Sequence, residues 1–266
     1  MTAPDTPPPH RPARLVAVVG AAGGAGTSVV AAALARAWRR RGPAATLVDL
    51  DVPGAGIDVL LGVEDERGSR WSDLADARGT VDGVALLATL PRWGAVPVLS
   101  GSRHDPRPPA DDVVLDTTTA LLRAGERVVL DAPRAPGWTA STRSLLAAAD
   151  AVALVVPLTV PGVAGAVSTT AQLAAAGAPR PTVVARGPAP GRVDPAGLAR
   201  ALGRPVDVVV GWDPRLAAAV ELGAGPAPRR NGRLQRAAAG LAALVDGASH
   251  DGRPASAVPP QPVGAP

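Results

Sequence analysis

Lysine is absent from all 266 residues, and so are cysteine, phenylalanine and tyrosine. Each absence closes off some chemistry. Without cysteine there is no disulfide framework and no thiolate metal site, which fits a reducing cytoplasm. Without lysine the net charge of +4 and the high pI rest on arginine alone, a permanently protonated group suited to phosphate contacts. The acids are nearly as numerous, so most of the surface reads as mixed charge. With no Phe or Tyr and only five Trp, the 47% hydrophobic fraction is largely alanine and small aliphatics, which implies small-residue packing of helices on a sheet. No apolar run reaches the length of a membrane span, and the N-terminus shows no signal-peptide core. The expected location is therefore the cytoplasm, with peripheral contact at the inner face of the membrane only through recruitment. No aromatics are interleaved with the basic residues, which argues against single-strand nucleic-acid recognition. The three histidines, His10, His104 and His250, are far apart and form no metal-ligand spacing, and no nucleophile elbow is present.

What is present is an alternation. Residues 1–13 and the stretch from Ala248 onward are rich in Pro, Ala and Gly and read as disordered tails around one domain over 14–247. Strands are expected at Arg14–Val19, Ala45–Leu50, Arg127–Leu130, Ala151–Val156, Thr182–Ala185 and Val206–Val210. Helices are expected at Ser28–Arg41, at about 112–124, 140–149, 162–176, 195–202 and 214–222, and over Arg233–Val245. Asp194-Pro195 and Asp213-Pro214 each set an N-cap acceptor before a proline that fits the first helical turn. Arg39-Arg40-Arg41 closes the first helix, where it complements the negative dipole end. Strands alternating with helices predict an α/β fold, a doubly wound, mainly parallel sheet of about seven strands with helices on both faces.

The first strand runs directly into Gly20-Ala21-Ala22-Gly23-Gly24-Ala25-Gly26-Thr27-Ser28 and then a helix. Glycines let the backbone turn tightly and approach a ligand, and the helix N-terminus offers free amides to phosphate. Two readings fit such a loop. In a dinucleotide fold, Gly20, Gly24 and Gly26 mimic the loop of short-chain dehydrogenases, with Asp49 or Asp51 reading a ribose. Those enzymes use a Tyr and a Lys for proton transfer, and this chain has neither, so only a non-catalytic dinucleotide binder stays open. For Asp49 a capping role at the strand end is preferred.

The second reading is the deviant Walker A loop, K-G-G-x-G-K-T/S, here Ala22-Gly23-Gly24-Ala25-Gly26-Thr27-Ser28. Thr46-Leu-Val-Asp49-Leu-Asp51 with Gly56-Ile-Asp58-Val-Leu-Leu-Gly62, Arg127-Val-Val-Leu-Asp131-Ala-Pro133, and Ala149-Asp150-Ala-Val-Ala-Leu-Val-Val-Pro157 follow it in order. On these motifs the chain resembles the MinD/ParA group of P-loop ATPases. It looks most like the actinobacterial septum-site-determining and CpaE-like proteins, which carry a G-G-x-G-x-S loop. Trp71-Ser-Asp-Leu-Ala-Asp-Ala-Arg-Gly79, Leu90-Pro-Arg92, Val98-Leu-Ser100 and Trp212-Asp-Pro-Arg-Leu-Ala-Ala-Ala219 support that likeness.

The resemblance implies ATP or ADP with Mg as ligand. Gly23, Gly24, Ala25, Gly26, Thr27 and Ser28 would cradle the phosphates, and Ser28, Asp51 and Asp131 would serve the metal. Asp51 would also be the catalytic, water-positioning residue. Arg186 stands where relatives carry an adenine-reading Asn. The family's two loop lysines, however, are replaced by Thr27 and Ala22. Only an arginine could restore the charge, with Arg103 and Arg134 as candidates, so hydrolysis is expected to be weak or absent. The implied function is regulatory localisation in septum placement or in pilus and secretion assembly. It would act through a protein partner of that machinery and through a homodimer. An ATPase with arginine in place of the lysines and a nucleotide-free scaffold are the alternatives. Arg229, Arg230, Arg233 and Arg236 form the densest basic group, a candidate for DNA or membrane-surface contact across Arg229–Arg236. Beside it Leu234, Leu241, Leu244 and Val245 make an apolar stripe whose preferred reading is core packing.

Overall fold

Strand β1 (Leu15–Gly20) sends Val16 and Val18 into one hydrophobic layer and Leu15, Ala17 and Val19 into the other. That two-residue alternation, with every side chain apolar, is the signature of a strand covered on both faces. The computed structural model describes residues 14–52, 56–75, 81–189, 191, 193–223, 225–226 and 232–248. Among them, β1 is central in an eight-stranded sheet of order β3-β4-β2-β5-β1-β6-β7-β8. On one side lie β5 (Arg127–Ala132), β2 (Ala45–Asp49), β4 (Val96–Leu99) and the two-residue β3 (Arg92–Trp93). On the other lie β6 (Ala151–Pro157), β7 (Thr182–Gly187) and β8 (Val208–Gly211). All pairings are parallel except β3 with β4. The chain crosses from one half to the other between β5 and β6. The crevice at the C-terminal ends of β1, β5 and β6 is therefore the topological switch point, where such sheets take ligands.

The expected doubly wound sheet is observed. The β3–β4 hairpin was not expected, being too short for a period, with Pro91 before it and Pro97 within β4, nor were the short helices at Ile57–Leu61 and Gly83–Thr89. Helix α1 (Thr27–Arg41) explains the alanine content. It is sandwiched between the sheet and the last helix, so Ala31, Ala32, Ala33, Ala35 and Ala37 are all buried with Leu34 and Trp38. That last helix, α9 (Arg233–Ala248 once the others are counted), packs on α1 and β8. It buries Leu234, Ala238, Leu241, Ala242 and Val245, one face at helical spacing, whereas Leu244 turns outward. The stripe beside the arginines is thus core, worth roughly 1.5–3 kcal/mol for each large side chain.

The remaining helices are α2 (Ile57–Leu61), α3 (Gly83–Thr89), α4 (Asp111–Arg123), α5 (Ala140–Ala148), α6 (Val160–Ala175), α7 (Pro195–Leu202) and α8 (Pro214–Glu221). Asp194 and Asp213 accept from the amides of Gly197 and Arg215, the capping their sequence context predicts. Helix α6 starts two residues ahead of the expected 162, because Thr159 caps the Gly162 amide and Pro161 fits the first turn. Residues 1–13 and those beyond Ala248, the expected tails, lie outside the described residues.

Candidate functional site

The loop between β1 and α1 turns through two left-handed glycines, Gly24 at φ +67° and Gly26 at φ +83°. Gly26 is the N-cap of α1, no side chain caps the helix, and its first turn holds no acid. Its leading amides are therefore turned toward whatever lies above the loop, with the positive end of the helix dipole behind them. The loop is fixed from below. A Cβ on Gly20 would strike the Thr27 hydroxyl, and one on Gly165 of α6 would strike the Ala21 carbonyl. Ala25 is buried as well. The upper face is open, because a Cβ at Gly23 or Gly24 would meet nothing within 4 Å. Backbone donors fixed below and open above make a nest of the shape that suits an anion such as phosphate.

Beside the nest sit two carboxylates. Asp49 ends β2 and Asp131 lies opposite it in register on β5, and both are buried. The Ser28 hydroxyl, in the first turn of α1, stands close enough to the Asp131 carboxyl to favour its charged form. Burial pushes Asp131 well above the usual carboxylate range, the charge of Asp49 pushes it further, and only Ser28 opposes. Burial likewise lifts Asp49 to about 7, against amide hydrogen bonds from Asp51 at 2.9 Å and Ile57 at 3.3 Å. Neighbouring Asp51 and Asp58 add repulsion. Asp49 thus ties the end of β2 to the start of α2, the capping role preferred from its sequence position. Asp51 is exposed on the loop that follows.

Two adjacent buried carboxyls disfavour each other's charge, and a divalent cation removes that penalty. Among the described residues no three His, Asp or Glu close a metal cage. What fits is Mg²⁺, which is held by one hydroxyl, one or two carboxylates and the oxygens of a phosphate. Ser28 and Asp131 would supply the first two. One residue the sequence reading treated only as a family likeness proves to be a support. Trp71 is buried and donates its indole N–H to the Asp49 carbonyl at 2.6 Å, bracing the strand end. Nothing local to Trp71 announces a partner 22 positions away.

The arginine candidates separate clearly. Arg103 pairs with Asp65 at 2.8 Å on the surface, and Arg134 is exposed. Arg186, near the end of β7, is the one that reaches the nest, donating to the Gly24 carbonyl at 3.2 Å. It also lines a cleft of about 180 Å³ with Gly26, Leu60, Trp212, Leu216 and Val220. His104 is exposed, while His10, His250, Arg229 and Arg230 lie outside the described residues. Arg233 is spent on the Trp212 carbonyl at 3.2 Å.

Comparison with known proteins places this geometry. Residues 12–79 match the ParA family model, described as the NUBPL iron-transfer P-loop NTPase. A ParA family ATPase from Chlorobium tepidum superposes with a TM-score of 0.72 at 16% identity, covering 86% of this chain and 98% of that one. The septum site-determining protein MinD of Pyrococcus horikoshii, complexed with Mg-ADP, superposes with a TM-score of 0.71 at 19% identity, covering 88% and 96%. The fold is that of the MinD/ParA P-loop NTPases. Among sequences, uncharacterized proteins from two strains of Mycobacterium tuberculosis are 42% identical over 211 residues, which is 79% of this chain. The chain spans 57% of the length of those relatives. No described helix is long and apolar enough to cross a membrane.

Proposed function

We propose that this chain is a MinD/ParA-type nucleotide-responsive regulatory protein that binds ATP or ADP with Mg²⁺ and turns it over slowly or not at all. One observation carries the reading: at the start of α1 the open glycine loop brings the Ser28 hydroxyl near the buried Asp131 carboxyl. Gly23 to Ser28 would hold the phosphates through backbone amides, and Ser28 with Asp131 would hold the metal. When bound, Mg²⁺ would neutralise phosphate charge. Asp51, exposed on the loop after β2, would orient water. The Pyrococcus protein binds Mg-ADP on the same fold, which supports the ligand class.

Slow turnover follows from residue identity. Phosphoryl transfer needs charge stabilised at the leaving and transferred groups, and the loop positions that carry lysine in active relatives are Ala22 and Thr27 here. Iron transfer, named in the matching family model, is left aside, because this chain has no cysteine with which to hold an iron–sulfur cluster. The cellular role we infer is localisation in septum placement or in pilus and secretion assembly, through a partner protein and a homodimer.

The test is calorimetric titration of ADP and ATP with Mg²⁺ into the wild type and into Gly23→Asp. Gly23 has ordinary backbone angles and open space around its virtual Cβ, so the substitution adds charge without strain. Saturable binding that Gly23→Asp removes is the expected result. Silence of the wild type at millimolar nucleotide would sink the nucleotide-responsive reading and leave a scaffold.

A further inference from the structure

We propose that Arg186 is the cation this site directs at the phosphate chain of its ligand, reaching the nest from β7 in place of the lysines the loop lacks. The inference rests on the nest being a phosphate site and goes on to name the residue that supplies its positive charge and the ligand class, a di- or triphosphate ester.

Four observations carry it. The first is position. Arg186 pairs in register with Pro157 of β6 and Val210 of β8, near the C-terminal edge of the sheet where the nest lies. Its side chain turns back across the sheet to the Gly24 carbonyl. The second is fit. A Cβ on Gly26 would lie 2.9 Å from Cζ and 3.1 Å from Nε of Arg186, so the loop leaves room for the guanidinium only because residue 26 is glycine.

The third observation is the missing counter-ion. The other arginines drawn from water are each satisfied within the fold: Arg39, Arg127 and Arg204 by Glu126, Asp246 and Asp207, Arg70 by the carbonyls of Val63, Glu66 and Gly68, and Arg36 by the face of Trp93. No ion pair among the described residues includes Arg186, and burial alone lowers its affinity for the proton. A cation drawn out of water without an acid beside it is costly unless an anion arrives. The fourth is capacity. Guanidinium carries five donors in a planar fork, and the Gly24 carbonyl takes one, which leaves the others for paired oxygens such as those of phosphate. The adjoining cleft, walled by Trp212, Leu216 and Val220, gives the rest of an ester somewhere apolar to lie. Neither Arg103, paired with Asp65 on the surface, nor the exposed Arg134 is seated against the glycine loop in this way.

The experiment titrates ADP with Mg²⁺, pyrophosphate with Mg²⁺, and adenosine into the wild type, Arg186→Gln, Arg186→Lys and Arg134→Gln, with melting curves of each in anion-free buffer. Loss of one charge-assisted contact should weaken both ADP and pyrophosphate about tenfold or more in Arg186→Gln. Arg186→Lys should recover part of that loss, Arg134→Gln should match the wild type, and adenosine should not distinguish the variants. In anion-free buffer Arg186→Gln should melt no lower than the wild type, since it removes a half-buried charge without an acid partner. Equal ADP and pyrophosphate affinity in Arg186→Gln would overturn the proposal while leaving the phosphate site standing. A loss confined to ADP would make Arg186 a base contact, which also overturns it. An anion-free melt well below the wild type would make the residue a staple of the loop instead. Absence of binding in the wild type would remove the site itself.

Discussion

At the scale of the residue, the site depends on side chains that are missing as much as on those present. Gly26 is held twice over, by its left-handed backbone and by the Arg186 guanidinium lying where its Cβ would be. Gly26→Ala should therefore cost about 1–2 kcal/mol from backbone strain alone. It should also displace Arg186 and weaken nucleotide binding. Gly23→Ala, at ordinary φ with nothing near its Cβ, should change neither. Urea denaturation of the pair checks the contrast, and equal midpoints would refute it. The glycine loop was legible in the sequence because its residue types are dictated by local backbone geometry. Arg186 was legible only as a position in a family pattern. Its contact with Gly24 joins residues 162 apart, and no local period encodes that.

At the scale of the element, the helices are set by caps that the sequence displays and by faces that it displays in part. The α4 and α5 starts are joined by Asp111, whose carboxylate accepts from the Ser141 amide at 3.0 Å and from the Ser141 hydroxyl. Burial opposes ionisation there, but the Ser141 hydrogen bonds, with the nearby Thr139 hydroxyl and Ala140 amide, outweigh it and hold the carboxyl below its ordinary value. A folded-state pKa that is lowered gives stability that is present above the unfolded pKa of about 3.9 and lost as pH falls through the folded value. Asp111→Asn should thus cost roughly 0.5–1 kcal/mol near neutral pH, discounted for exposure, and less in acid, as pH falls through the lowered folded-state pKa. Denaturation at neutral and acidic pH measures it, and a pH-independent cost would refute the assignment. Helix α9 shows the limit of reading faces from sequence. The stripe at Leu234, Leu241 and Val245 was visible, but Ala238 and Ala242 complete it and Leu244 does not belong to it. Alanine carries too little hydrophobic signal to be told apart on a helix until the facing surface of α1 is known.

At the scale of the whole molecule, ligand binding and stability are one equilibrium. A ligand at a hundred times its dissociation constant adds about 2.7 kcal/mol to a protein that binds it only when folded. For a domain of this size that is roughly 5–10 °C in Tm. Mg-ADP should raise the melting temperature by that amount, Mg²⁺ with adenosine should not, and chelation should abolish most of the gain. Calorimetric scans decide it, with an unmoved transition counting against the site. The sequence by itself determined the fold class, the alternation of strand and helix, the helix caps and the place of the nest. All of these follow from short-range period, turn chemistry and the backbone needs of glycine. Only the tertiary structure decided which strand ends stand side by side. The crossover from β5 to β6 puts Asp131, Ser28 and the β1 loop at one crevice, and the same sheet edge brings Arg186 over the glycines. The physical reason is that a parallel sheet is closed by contacts between distant segments, and those segments meet only where both faces of the sheet can be buried together.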